Sequence, residues 1–299
     1  ATTPDYTPAD TISTLSLIED AIAAGQSISE TQGGVIQLYA VWEEATAWMQ
    51  NFTCSSLTTG QTKDLTDRRD NSVYTVKKFS SDNDSCWMIQ NLRLGYDKAY
   101  TLTKDLTNIT DNGSYYLPQA GYQASLDGTN VTTVSFSSSS DSQARVQYAT
   151  ASDLLAKSSS LANAQDTGYY NFYAATLGKS YFGLNGNVSD YVERDIGPKG
   201  WQLPVDDSSN HRSWYYFYNT LNGGQHANLM SASGASLLYS GRYDDSSLDR
   251  VGSGGHWWSS TVSTTNYGYN LYVASTGIVH PQSSVNKYYG FAVRCVATQ

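Results

Sequence analysis

From residue 236 to the end, the chain alternates short β-type runs with glycine-marked turns, and this commits its C-terminal part to a sheet. Strands are expected over residues 236–240, 256–261, 269–274 and 291–296. Each carries aromatic or β-branched side chains, which suit a pleated surface with one buried face. Just upstream the period changes. Within residues 207–222, Trp214, Phe217, Tyr218 and Leu221 fall at i, i+3, i+4 and i+7, an Asp or Ser caps the start, and Gly223 ends the run. That is the pattern of a capped amphipathic helix.

Residues 8–25 read as a short helix from the recurrence of Ile12, Leu15, Leu17, Ile18, Ala21 and Ile22, with Gly25 as its stop. A strand is expected over residues 33–42 after the Gly33-Gly34 turn. Its phrase Leu38-Tyr39-Ala40-Val41-Trp42 resembles the last strand of small repeat modules in bacterial surface proteins. Residues 43–52 read as a second helix, with Ala45, Trp48, Met49 and Phe52 on one face. So apolar a face has to pack on the body of the protein to stay soluble. Polar turns at residues 67–71 and 80–85 flank a strand at Tyr74-Thr75-Val76. The Ser-, Thr-, Asn- and Gly-rich stretch 97–160 reads as long loops and short strands, with residues 137–142 as a loop tip.

Charged residues make up 15% of the chain, below the roughly one quarter usual in soluble domains, while aromatics reach 13% with 24 tyrosines. Such a chain has enough apolar surface to fold, unlike charge-rich disordered sequences. The net charge of −9 repels polyanions, so nucleic acid is not an expected partner. No apolar run of about 18 residues is present to span a bilayer, and no basic-then-apolar leader opens the sequence. The abrupt start at Ala1-Thr2-Thr3-Pro4 suggests an export signal or anchor lying upstream.

Cys54, Cys86 and Cys295 make an odd count, without CxxC spacing or a histidine close in sequence, so a zinc cluster is not expected. One disulfide with one free thiol, or three buried free cysteines, both satisfy that arithmetic.

Five segments occur in order: Ser85-Cys86-Trp87-Met88-Ile89-Gln90-Asn91-Leu92, Tyr170-Asn171-Phe172-Tyr173-Ala174-Ala175-Thr176, Gly200-Trp201-Gln202-Leu203-Pro204, Gly255-His256-Trp257-Trp258-Ser259-Ser260-Thr261 and Gly290-Phe291-Ala292-Val293-Arg294-Cys295-Val296. Together they resemble the Fibrobacter succinogenes major paralogous domain family, related to the formylglycine-generating-enzyme branch of the C-type lectin fold. The resemblance implies an α+β, C-type-lectin-like domain over residues 54–299, with short strands, two or more helices and long irregular loops. Residues 1–53 would precede it as a helix–strand–helix segment. In such a fold the first and last strands pair, bringing Trp87 towards Val293. Trp87, Trp201, Trp258 and Phe291 are its expected core anchors, each costing roughly 3–5 kcal/mol if cut to alanine. Arg294 is expected to point away from the apolar face or to meet a buried carboxylate. Where the family commonly has Cys-Pro-x-Gly-Trp, this chain has Gly197-Pro198-Lys199-Gly200-Trp201. The missing cysteine would ordinarily pair with the one in the final strand. The resemblance therefore implies a Cys54–Cys86 disulfide and a buried free thiol at Cys295.

The fold's enzymatic relatives use a reactive cysteine pair in an open site, and none is evident here. His211, His226, His256 and His280 accompany no GxSxG elbow, and phosphate-binding glycine loops are absent. Asp244, Asp245 and Asp249 could gather calcium, but without lectin calcium tripeptides or EF-hand spacing a solvated acidic loop is expected. No catalytic residue, metal or cofactor is expected. Residues 239–289 instead carry Tyr, Asn, Ser and Gly, the palette of antibody paratopes, although alternate tyrosines merely covering strands would look the same.

Lectin-like domains of this branch serve as variable proteins of diversity-generating retroelements, in which template adenines near the gene's C-terminal end are randomised. An AAC codon so treated becomes NNC, which never encodes stop, Trp, Gln, Lys, Glu or Met. The resemblance thus implies a variable, ligand-binding surface at Tyr243, Asp245, His256, Asn266, Tyr267, Tyr269, Asn270, Tyr272, His280, Asn286 and Tyr288. Trp257, Gln282 and Lys287 are not expected to vary. The expected protein is extracellular or cell-surface and contacts a protein or glycan ligand on another cell surface. A structural or adhesive envelope role, or an enzyme of the formylglycine-generating type, are the alternatives.

Overall fold

The computed structural model describes residues 27–31, 35–39, 47–82, 85–94, 146–176, 195–244 and 247–298. The chain divides into two compact units, Ala1–Thr46 and Ala47–Gln299. In the first, β1 (Ser27–Thr31) and β2 (Val35–Tyr39) form an antiparallel hairpin in which Ser27 opposes Tyr39 and Thr31 opposes Val35. The helix expected over residues 8–25 and the loop tip at 137–142 lie outside the described residues.

The second unit is α+β, and it opens with a correction. Residues 47–52 are not the end of a helix: Trp48 makes a parallel bridge to Thr66, and Met49–Asn51 is a single 3₁₀ turn. The amide of Thr66 donates to the Ala47 carbonyl at 2.8 Å, so the neighbouring sheet edge captures the backbone that helical spacing would have used internally. The apolar positions are still core. Met49 and Phe52 are buried, Phe52 stacks on Trp201 at 5.5 Å, and the Trp201 indole N–H donates to the Met49 carbonyl at 2.9 Å.

One sheet runs in the order β3 (Thr62–Thr66), β4 (Val73–Lys78), β5 (Cys86–Met88), β14 (Val296–Ala297) and β8 (Trp201–Gln202). The β3–β4 turn is set by sequence chemistry. Asn71 takes a φ of 59°, its amide donates to the Asp67 carbonyl at 2.7 Å, and the Asp70 carboxylate accepts from the Ser72 amide. In β4, Tyr74, Val76 and Lys78 turn inward in a two-residue period. The expected approach of Trp87 to the final segment is present, but the strand that meets it is not the first, since β3 and β4 precede β5: Val296 opposes Trp87, the Met88 amide donates to the Cys295 carbonyl at 3.0 Å, and the Leu92 amide to the Val293 carbonyl at 2.8 Å. Cys54 and Cys86 form a disulfide across a separation of 32 residues, while Cys295 is a buried free thiol.

A two-stranded sheet, β6 (Val146–Ala149) with β7 (Thr167–Tyr170), brackets α1 (Ala151–Lys157). This helix was not anticipated in the polar stretch; a capping box between Thr150 and Asp153 nucleates it. A short α2 (Phe172–Ala175) follows β7. Helix α3 (Trp214–Tyr216) continues as a π-helical turn, Phe217–Leu221. It is shorter than the expected 207–222 because Asp207 and Asn210 side chains accept from the amides of Ser209 and Arg212, holding that backbone in turns. Ser213 then caps the helix by accepting from the Tyr216 amide. Helix α4 (His226–Met230) completes the set.

The other five-stranded sheet has the order β10 (Ser247–Val251), β9 (Ser240–Asp244), β11 (Gly254–Val262), β12 (Tyr267–Ala274) and β13 (Val279–Asn286). Two sequence expectations need correcting here. Residues 236–239 are loop, with Ser236 at a φ of 51°, and β9 starts only at Ser240. The run 291–295 is not a regular strand either. Phe291 bridges Tyr170, Ala292 bridges Trp257, and only Val296–Ala297 enters a ladder, because this segment threads from one sheet to the other.

Strand β11 divides the core. Consecutive residues of a strand face opposite ways. Trp257 packs with Trp87, Trp214, Phe217, Leu271 and Val273, while Trp258 packs with Phe172, Trp201, Phe291 and Val293. All four expected anchors are buried. Arg294 follows neither expectation. It is buried, and it donates to the Asn91 side-chain oxygen at 2.8 Å and to the carbonyls of Ala235 and Ser236 at 2.5 and 2.7 Å, with no carboxylate among these partners. The same Asn91 oxygen accepts the Trp257 indole N–H at 2.9 Å.

Candidate recognition surface

The register of the second sheet sets one side chain from each strand in a transverse row. Asp249 on β10 opposes Arg242 on β9, the parallel Gly241–Gly255 bridge puts Arg242 beside His256 on β11, His256 opposes Tyr272 on β12, and Tyr272 opposes His280 on β13. The rings stack across the strands. Centroids of His280 and Tyr272 lie 6.1 Å apart, those of Tyr272 and His256 4.7 Å, and those of His256 and Phe291 4.6 Å. Phe291 stacks in turn on Tyr289 at 5.8 Å, and the Arg242 guanidinium lies 4.4 Å over the Tyr289 ring. Tyr288 leans on Tyr289 at 4.7 Å. The segment carrying these tyrosines is held to β9 by paired backbone bonds between Tyr243 and Gly290, at 2.9 and 3.0 Å.

The row grades from open to sealed. His280 is exposed, Tyr272, Tyr288, Tyr289 and Arg242 are half-buried, and His256 and Phe291 are buried. At its charged end, Arg242 reaches Asp244 at 2.8 Å and Asp249 at 3.3 Å. At its centre, burial and then the nearby Arg242 and Arg250 charges hold the His256 imidazole down to about 3. It is neutral throughout the physiological range. Burial, a hydrogen bond with Tyr289 and the Asp244 charge push the Tyr288 phenol up to about 12, so it remains a hydrogen-bond donor. These groups supply hydroxyls, an imidazole and a charge pair; among the described residues no three His, Cys, Asp or Glu side chains are grouped to hold a metal ion.

The expected surface residues divide. Tyr272 and His280 come together in this row, and Tyr288 leans on Tyr289 beside it. Tyr243, next to Arg242 on β9, faces the other way, half-buried with its ring edge-on to Tyr169 at 5.1 Å. His256 and Asn270 belong to the row by position but not as exposed groups: they are 4% and 0% exposed, which corrects the expectation that they form part of an accessible surface. The reason is the period of the strand. Asn270 lies on the β12 face that packs on Trp258, His256 and α2, where Gly268 already leaves no room for a Cβ against the Phe172 ring. Tyr267 and Tyr269 take the opposite face of β12, and Asn266 and Asn286 sit at its end, Asn286 opposing Tyr267. Of these, Asn266 and Tyr267 are exposed, and Tyr269 and Asn286 are half-buried. The expected surface is therefore two patches, on the two faces of one sheet. Asp245 lies outside the described residues.

Arg242 and Asp249 were not expected as members of the surface. Asp249 was read as part of a solvated acidic loop, and nothing in the sequence signals Arg242: β10 shows a single buried apolar residue, Leu248, and only its pairing places Asp249 opposite Arg242. Lys287, expected not to vary, is 2% exposed; its ammonium donates to the Thr265 carbonyl at 3.0 Å, and burial holds it down to about 8. Among the described residues no helix is long and apolar enough to cross a membrane. Searches against protein-family models, curated proteins and solved structures find no match to this chain.

Proposed function

We propose that this chain is a secreted or cell-surface ligand-binding protein with a C-type-lectin-like fold, and that it is the variable protein of a diversity-generating retroelement. The observation that carries the reading is the row Asp249–Arg242–His256–Tyr272–His280, which runs from half-buried and exposed side chains to a sealed centre where His256 packs on Phe291, itself stacked on Trp258. Rigid aromatic groups with hydroxyl tips give large contact area at small entropy cost. The closure of β5 on β14 and the five ordered motifs favour the lectin-like assignment. The cysteines favour binding over oxidase chemistry: two are joined, and burial pushes the third, Cys295, well above the ordinary thiol range.

The test is the nucleotide sequence around codons 239–299, read in depth from a population of cells. A reverse-transcriptase gene and a near-identical repeat should adjoin the gene. Substitutions should gather at adenine-containing codons of open positions such as Asn266, Tyr267, Tyr272, His280 and Tyr288, while Trp257, Gln282 and Lys287 stay fixed. An invariant sequence without an adjoining repeat would remove the diversification role.

A further inference from the structure

Within the row, His256 is sealed where its neighbours are open. Tyr272 and Phe291 cover its two faces at 4.7 and 4.6 Å, with planes inclined by 24° and 23°. Its Nδ1 accepts from the Asn270 amide nitrogen at 3.1 Å, and that nitrogen also donates to the Leu271 carbonyl. A neutral imidazole accepting at Nδ1 carries its proton on Nε2. Among the described residues, both Nε2 of His256 and the side-chain oxygen of Asn270 are buried without a partner. Buried polar atoms left unpaired cost stability, and a phenylalanine would fill the same aromatic stack without that cost. Packing alone does not explain the polar pair.

Tyr272 does explain it. Its ring lies along β11, over Gly254 at one end, where an added Cβ would come within 3.2 Å of Cε2, and against His256 at the other. His280 covers its second face. Stacking on both faces already limits how far a ring at 256 can turn, and the bond from Asn270 adds a restraint on the imidazole that a phenylalanine would lack. We propose that His256, pinned by Asn270, is a positioning residue that sets the orientation of Tyr272, the ring linking the sealed centre of the row to its open end at His280. This deepens the recognition reading above and rests on it: His256 meets no partner itself but determines how Tyr272 presents its hydroxyl.

The experiment needs no ligand, so it can fail independently of the gene-locus test of recognition. Ring-flip rates of tyrosines are measured by NMR on protein with labelled tyrosine rings, in the wild type, His256→Phe and His256→Ala. His256→Phe should fold at least as stably as the wild type, yet Tyr272 should flip about tenfold faster, the worth of one hydrogen bond. His256→Ala should free it further, and the buried Tyr74 and Tyr169 should be unchanged in both. An unaltered Tyr272 rate in His256→Phe overturns the proposal. So does equal acceleration of Tyr74 and Tyr169, which would mean general loosening. If His256→Ala does not fold, His256→Phe alone decides.

Discussion

Arg294 sets two large effects against each other, and the structure says which should win. Its guanidinium is buried beside the Trp257 ring, makes three hydrogen bonds and meets no carboxylate in them; burial holds it down to about 9, so it is charged at neutral pH. Replacement by methionine strands the Ala235 and Ser236 carbonyls and one lone pair of Asn91. Three bonds to a charged group are worth about 1.5–3 kcal/mol each. Against that, methionine no longer carries a buried ion, which returns several kcal/mol, and it keeps the apolar stem. The expected net loss is about 2–3 kcal/mol. Lysine is the more conservative exchange by charge and should be the worse one. It keeps the buried ion but loses the planar fork that reaches three acceptors at once, for an expected loss of about 3–5 kcal/mol at pH 7. Only the lysine variant titrates at this site. Burial depresses the lysine pKa in the folded state below its unfolded value. The folded state then binds fewer protons, and stability rises with pH as the folded pKa is passed. Urea titrations at pH 7 and pH 9 should show Arg294→Lys recovering relative to Arg294→Met. If lysine costs less than methionine at pH 7, or their difference does not move with pH, the account of Arg294 as an uncompensated buried ion is wrong.

Three further outcomes follow from named groups. Replacing Cys54 and Cys86 by alanine should lower stability by about 3–4 kcal/mol, the loop-closure cost of their separation, while Cys295 should resist alkylation until urea unfolds the chain. Burial raises Asp195 to about 6, although the amides of Gly197 and Leu203 and the charge of Arg69 pull it down. A carboxyl raised in the folded state contributes stability that is fully present below its unfolded pKa near 4 and is lost as pH rises through 6. Asp195→Asn should therefore improve relative to the wild type between pH 4 and pH 7, as read from urea midpoints at both. Thr150→Ala removes the capping box of α1 and should cost about 1 kcal/mol in the same titration.

The parts of the fold that could be read in advance are those in which one physical signal dominates. Trp214, Phe217 and Tyr218 show a helical face because one side of that helix is buried, and residues 256–261 and 269–274 show strands through aromatic and β-branched runs bounded by glycine turns, β11 being buried on both faces. The two edge strands were missed. Strand β13 reads Val-His-Pro-Gln-Ser-Ser-Val-Asn, with no apolar alternation and with Pro281 inside it, which an edge tolerates and a central strand does not. Over the described residues 47–52 the expected helix failed for the opposite reason: Trp48, Met49 and Phe52 carry an apolar spacing that a sheet edge and a 3₁₀ turn satisfy equally well. Composition singled out the C-terminal segment but says nothing of its faces. A tyrosine at 267 and one at 272 look alike in sequence. Their separation to opposite sides of β12 follows only from strand parity, which boundary errors of one residue erase.

That parity also decides how much change the surface can absorb. Consecutive residues of β11 and β12 belong to different regimes: Trp257 and Leu271 are sealed in one core, Trp258 and Asn270 in the other, and Tyr272 and His280 lie outside both. Substitution at open positions away from such packing moves stability by roughly 0.5 kcal/mol or less, whereas emptying a core aromatic costs several. A scaffold that varies Tyr267 or His280 therefore keeps most of its stability, and one that empties Trp258 does not. His256 and Asn270 sit on the boundary between these regimes, polar yet sealed. A change there that preserves the packing, such as His256→Phe, would alter how the neighbouring rings are held, so if the proposed recognition role holds, such a surface has two kinds of variation available to it: new contacts at the rim, and new orientations set by the sealed pair.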